Sequence, residues 1–146
     1  IYGTGSLYHI LQEQITSLGL EKQVKLCGRG ENMMEIYPNY SLHIMSSHYE
    51  GQGIVMLEAQ ACGLPSVTFN FKYGASDIIQ NEYNGLIVTQ DNQNAFTEAI
   101  TKLISNSHLR KELGIHALET GDKYDKSNIL KKWEDILTII QHQLIL

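Results

Sequence analysis

The stretch "HYEGQGIVMLEAQACGLPSV", residues 48–67, decides how this chain is read. It carries two glutamates, Glu50 and Glu58, with Gly51 and Gly53 and then an apolar run between them, and Gly63-Leu64-Pro65 follows. The pattern predicts a helix over residues 53–62. The first N–H groups of a helix have no intrahelical partner, and with the helix dipole they form a ready site for an anion such as phosphate. On one helix the spacing from Glu50 to Glu58 would cover ~12 Å and put the carboxylates on different faces, which is wrong for an acid/base pair acting on one bond. It suits one carboxylate on each side of a bound diphosphate, each accepting hydrogen bonds from sugar hydroxyls. A plainer alternative has Glu50 capping the helix and Glu58 in a surface ion pair.

Outward from this stretch, strand and helix signals alternate. Ile1-Tyr2 reads as a strand end stopped by Gly3-Thr4-Gly5, after which Ser6 caps a helix carrying Leu7, Ile10, Leu11 and Ile15 and ending at Gly19. Strands are expected over residues 24–27, 41–45, 66–69 and 86–88. Short helices are expected over 32–37 and from Ser76, then longer ones over 94–104, 109–118 and 127–144. This alternation implies an α/β fold, a Rossmann-like parallel sheet with helices on both faces. No repeat, linker or low-complexity tract interrupts it, so residues 1–146 are expected to form a single domain. Such sheets bind ligands beyond the carboxyl ends of their strands. Four glycine-bearing segments follow predicted strands: Gly3-Thr4-Gly5, Gly28-Arg29-Gly30, loop 46–53 and loop 70–76. Glycine ends strands in most proteins, but together the four point to a binding face where the backbone approaches a ligand closely.

Composition narrows the function. Eleven Lys and Arg against 16 Asp and Glu give a net charge of −5, which builds no basic field for nucleic acid. No apolar run approaches the roughly 20 residues of a membrane span, and no signal peptide is evident. Cys27 and Cys62 are too few for a disulfide framework and are expected to be reduced thiols in the cytosol. His9, His43, His48, His108, His116 and His142 show no metal-ligand spacing with each other or with the cysteines. The chain opens on Ile-Tyr-Gly and reads as a piece of something longer.

The extended pattern Ser47-x-Tyr49-Glu50-Gly51-x-Gly53-x-x-x-Leu57-Glu58-Ala59-x-Ala61-x-Gly63-x-Pro65 resembles the signature of the group 1 retaining glycosyltransferases, the large family 4 class with the two-domain GT-B fold. "IYGTG", "VKLCGR", "YNGLIV" and "YDKSNILKKWEDIL" resemble further family elements. The resemblance covers essentially the whole chain as the C-terminal, donor-nucleotide half of such an enzyme, lacking its first strand-helix unit. It implies transfer of a sugar from a nucleotide diphosphate, UDP foremost, with the anomeric configuration kept and without a metal or other cofactor. Glu58 would hold the ribose hydroxyls, and Glu50 would face the transferred sugar as a positioner and charge stabiliser. The backbone of Gly53 and Ile54 would face the diphosphate or ribose, and Gly28, Arg29 and Gly30 would border the base. Gly51, Gly74 and Ser76 would belong to the phosphate or sugar loops.

In the family an Arg and a Lys from the first strand-helix unit neutralise the leaving diphosphate, and a second domain binds the acceptor. The chain as it stands is therefore expected to be inactive alone and to self-associate, with Trp133, Ile136, Leu137 and Ile140 as an unpartnered stripe. Tyr73-Gly74-Ala75-Ser76-Asp77 resembles the variant found in enzymes that glycosylate teichoic-acid polyols or serine-rich surface proteins. Glycan, polyol-phosphate or protein acceptors are thus implied, in bacterial cell-envelope synthesis at the cytoplasmic side, including the inner face of the membrane. A GT-B sugar-nucleotide epimerase and a non-catalytic nucleotide-binding module remain as alternatives. A dinucleotide dehydrogenase fits less well, because Tyr8 stands where the third glycine after Gly3 and Gly5 belongs.

Overall fold

The computed structural model describes residues 1–144. The chain divides into two compact units, one of residues 1–36 and one from Tyr37 onward.

The first unit contains α1 (Tyr8–Ser17) and α2 (Met33–Ile36). Ser6 does not cap α1. The N-cap is Leu7, with no side-chain cap, while Gly19 ends the helix as expected at φ 66°. Only Ile15 of α1 is buried; Leu7, Ile10 and Leu11 are exposed. Neither residues 1–2 nor 24–27 form a strand, contrary to the sequence reading. They do pair through the backbone. The Ile1 amine donates to the Lys25 carbonyl at 2.6 Å, and the Cys27 N–H donates to the Ile1 carbonyl at 2.8 Å. That is the start of a parallel ladder, but the next bond, from the Gly3 N–H, goes to Gly28 instead of Cys27. Gly28, at φ 65°, turns the chain there and the ladder stops. The expected helix over 32–37 is cut to Met33–Ile36, and Tyr37 passes into a 3-10 turn.

The second unit begins with a 3-10 turn, Tyr37–Asn39, and holds a three-stranded parallel sheet. Its strands β1 (His43–Met45), β2 (Ser66–Phe69) and β3 (Gly85–Val88) lie in that order, with Val67 between Ile44 and Leu86. All four residues of the central β2 are buried, as a parallel strand covered on both faces requires. Helices α3 (Ile54–Ala61), α4 (Ala75–Ile78), α5 (Gln93–Ser105), α6 (Ser107–Lys123) and α7 (Lys126–Leu144) complete the unit.

Strand alternation sorts the core. Val67, Phe69, Leu86 and Val88 pack with Leu103 of α5 and Leu113 of α6, and Phe69 stacks on Phe96. Ile87 points the other way, into a cluster with Met45, Met56 of α3, Phe71, and Ala75 and Ile78 of α4. Helices therefore cover both faces, as expected. Asn92 and Asn106 cap α5 and α6 by accepting from the Ala95 and Leu109 N–H groups, each at 3.0 Å.

The helix expected over 109–118 runs on to Lys123, straight through Gly121. A β-carbon on Gly121 would lie 2.5 Å from the Ala61 Cα, so the glycine serves close packing of α6 on α3 and not helix termination. Along α7, Trp133, Ile136, Leu137 and Ile140 form an exposed stripe. Among the described residues no helix is long and apolar enough to cross a membrane.

Candidate functional site

Two loops meet beyond the carboxyl ends of β1 and β2. Loop 46–53 follows β1, and its last residue, Gly53, is the N-cap of α3 at φ 73° and ψ 41°. Loop 70–74 follows β2 and ends in Gly74, at φ 97°, which precedes α4. A β-carbon on Gly74 would stand 2.7 Å from the Gln52 carbonyl oxygen, so only glycine lets the two loops close on each other. The fold thus brings Gly51, Gly53, Ile54 and Gly74 together. Ser76 is exposed on the short helix behind Gly74, and Glu50 is half-buried in the first loop. Gly28, Arg29 and Gly30 lie in the other unit. There Gly28 takes a left-handed conformation, and Gly30 leaves room for the Met33 sulfur.

The N-terminus of α3 suits an anion. Its first turn holds no acidic residue, and its cap is a bare glycine with no side chain on the free donors. The first bond the cap accepts is from the Met56 N–H, at 2.9 Å, which leaves the N–H groups of Ile54 and Val55 ahead of the helical ladder. Both of these side chains are exposed, as are Tyr49 and Tyr73. Loop 46–53 is also tied to the turn after β3. His48 Nδ1 lies 3.1 Å from Asp91 Oδ1 and 3.1 Å from Gln90 Nε2. Nδ1 donates to the carboxylate when it carries a hydrogen and accepts from the amide when it does not. The pair is exposed, so it contributes little to stability.

Glu58 sits about a turn and a half into α3. It is half-buried, and its Oε2 accepts from the Tyr37 hydroxyl at 3.2 Å; that hydroxyl is also 3.3 Å from the Val55 carbonyl. Tyr37 is buried, and burial first, then the Glu58 charge, push its ionisation well above the ordinary tyrosine range. It therefore remains a donor. The Cys62 thiol, one turn past Glu58, is pushed up by burial and then by the same carboxylate. The plainer reading of the two glutamates fails on these facts. Gly53, not Glu50, occupies the N-cap. Glu58 belongs to neither of the ion pairs His48–Asp91 and Lys102–Glu82, and its contact is with the neutral Tyr37 hydroxyl.

Tyr37 is the residue that sequence reasoning missed. The contact crosses from a 3-10 turn to a helix, with no local motif to announce it. A second unannounced feature lies on the opposite side of α3. Gln60 Nε2 reaches the Leu64 carbonyl, Ser66 Oγ and the Asn84 carbonyl at 3.1, 3.3 and 3.2 Å. Asn84 in turn donates to the Ile78 carbonyl and Thr120 Oγ1 at 2.9 and 2.8 Å. Among the described residues, no group of three or more His, Cys, Asp or Glu is arranged to hold a metal ion.

Residues 1–120 match the family described as Glycosyl transferases group 1. The chain belongs to that family. This group 1 glycosyl transferase chain is 36% identical over 134 residues to the poly(ribitol-phosphate) alpha-N-acetylglucosaminyltransferase of Staphylococcus aureus (strain COL), covering 91% of this chain and 27% of that protein. The crystal structure of TarM superposes with a TM-score of 0.83 at 35% identity, over 92% of this chain and 27% of that one. The pneumococcal O-GlcNAc transferase GtfA, crystallised with UDP and GlcNAc, gives a TM-score of 0.84 at 25% identity, over 97% of this chain and 29% of that one. The group 1 chain described here thus spans less than a third of the length of these relatives. Its fold is that of the C-terminal, Rossmann-like half of GT-B glycosyltransferases.

Proposed function

We propose that this chain is the donor-binding half of a retaining, metal-independent glycosyltransferase that uses a UDP-sugar and glycosylates a polyol-phosphate, glycan or protein hydroxyl at the cytoplasmic face of the cell envelope. One observation carries the reading. Loop 46–53, which holds Glu50, closes on Gly74 at the open N-terminus of α3, the helix that carries Glu58. The diphosphate lies against the N–H groups of Ile54 and Val55, where the helix dipole favours negative charge. Glu58 accepts from the ribose hydroxyls. Glu50 faces the sugar, where positive charge develops as the bond to the phosphate breaks. The acceptor oxygen then bonds to the anomeric carbon, and its proton passes to the departing phosphate oxygen. Gly51 and Ser76 border the phosphates or sugar. The names of the poly(ribitol-phosphate) and peptide-modifying relatives support a polyol-phosphate or protein acceptor.

Thermal shift with UDP, GDP, ADP and TDP tests the donor, and UDP is expected to raise the melting temperature most. Glu50→Gln, assayed in the enzyme that contains this chain and its acceptor half, keeps the shape and removes the charge. Turnover should fall by about a hundred-fold or more while UDP affinity stays nearly unchanged. A chain that no nucleotide stabilises, or a Glu50→Gln enzyme with normal turnover, would refute this assignment.

A further inference from the structure

We propose that Tyr37 is a positioning residue whose hydroxyl holds the Glu58 carboxylate in the orientation that receives the vicinal hydroxyls of the donor ribose. The inference rests on the assignment of Glu58 to the ribose.

A glutamate on a half-exposed helix face has three rotatable bonds, and freezing them when a ligand arrives costs affinity. Here they are restrained in advance. Tyr37 reaches Glu58 from the 3-10 turn, and its place does not depend on a flexible stem. The ring is 5% exposed and meets the His43 ring edge-on, with centroids 6.2 Å apart and planes at 82°. His43 is in turn held by Ser66 Oγ at 3.0 Å, on the central strand of the sheet. The phenol oxygen is thus referenced to β1 and β2, the strands whose ends carry the two site loops. It occupies one lone pair of Oε2. Oε1 has no other partner among the described residues, so it and the second lone pair of Oε2 remain for a diol. Because burial and the carboxylate keep the phenol protonated, the donor persists across the physiological pH range.

A purely structural hydroxyl would satisfy the same hydrogen bond but would be indifferent to the ribose. The test is therefore a ratio: the affinity of the protein for UDP over that for 2′,3′-dideoxy-UDP, which lacks both hydroxyls. The unsubstituted protein should prefer UDP, and Glu58→Gln should abolish most of the preference. Tyr37→Phe should cut it roughly five-fold through weaker UDP binding, the scale of one lost hydrogen bond, with dideoxy-UDP affinity unchanged. The double variant should be no worse than Glu58→Gln, since the two residues act as one unit. Placing 4-aminophenylalanine at position 37 restores a donor at the same spot and should restore the preference. This variant also keeps the test decisive should Tyr37→Phe fold poorly. If Glu58→Gln loses the preference and Tyr37→Phe keeps it, the role of Tyr37 is wrong and the ribose assignment stands. If Glu58→Gln keeps it, or the unsubstituted protein has none, both fall.

Discussion

Glu58 and Gln60 stand two positions apart on the same short helix and point to opposite sides of it, yet their environments differ in kind. Gln60 is fully buried, and its amide nitrogen is used up on Leu64, Ser66 and Asn84. It ties α3 to β2 and to the turn before β3, and its amide oxygen, which has no hydrogen-bond partner among the described residues, is buried away from any ligand. Glu58 is half-buried, takes one neutral partner, and keeps an oxygen free. A polar side chain whose donors are all used inside the protein specifies packing. One that is oriented but left unsaturated at the surface specifies a ligand. The same helix does both because residues two apart on an α-helix do not share a face.

The largest effect expected from this contrast is in stability. Gln60→Ala strands two buried carbonyls and opens a void, and should cost about 3 kcal/mol in urea unfolding. UDP affinity of the folded fraction should not change. A stable Gln60→Ala protein with weakened nucleotide binding would reverse the roles assigned to the two residues.

Gly74→Ala affects both quantities at once. It combines a φ of 97° with a β-carbon 2.7 Å from the Gln52 carbonyl, so the loops must part. A loss of roughly 2 kcal/mol is expected in calorimetry, with UDP affinity also reduced because loop 46–53 is displaced.

The smallest effect is a pH slope. Burial lowers His43 from 6.5 to about 4. The folded protein thus resists a proton that the unfolded chain accepts. This contribution is constant above about pH 6.5, and stability falls as pH drops from there toward 4. Melting temperatures of His43→Gln should decline less steeply over this window than those of the unsubstituted protein. Parallel curves would mean that His43 is not held neutral.

The legible parts of the fold were those with local causes. Residues 66–69 were readable as a strand because the β-favouring Val67, Thr68 and Phe69 sit between Pro65 and Asn70, and they form β2 with those bounds. The α3 start was readable from Gly53, and the opposed faces of the sheet followed from strand-helix alternation. The misreadings were tertiary. Ser6 looked like a cap, but Leu7 occupies the position. Residues 24–27 looked like a strand, but their pairing with residues 1–3 slips at Gly28.

The sequence by itself determined that this is a parallel α/β chain of the group 1 family, with Glu50, Gly53 and Glu58 on one segment. Those facts depend on residue order over a few turns of chain. Only the tertiary structure decided that Gly74 closes on Gln52 and that Tyr37 addresses Glu58. It also decided that His43 and Ser66 brace the tyrosine while Gln60 is spent in the core. These are encounters between residues far apart along the chain, and no periodicity or propensity records them. They exist because a buried donor must find an acceptor once the sheet and its helices have brought them within reach.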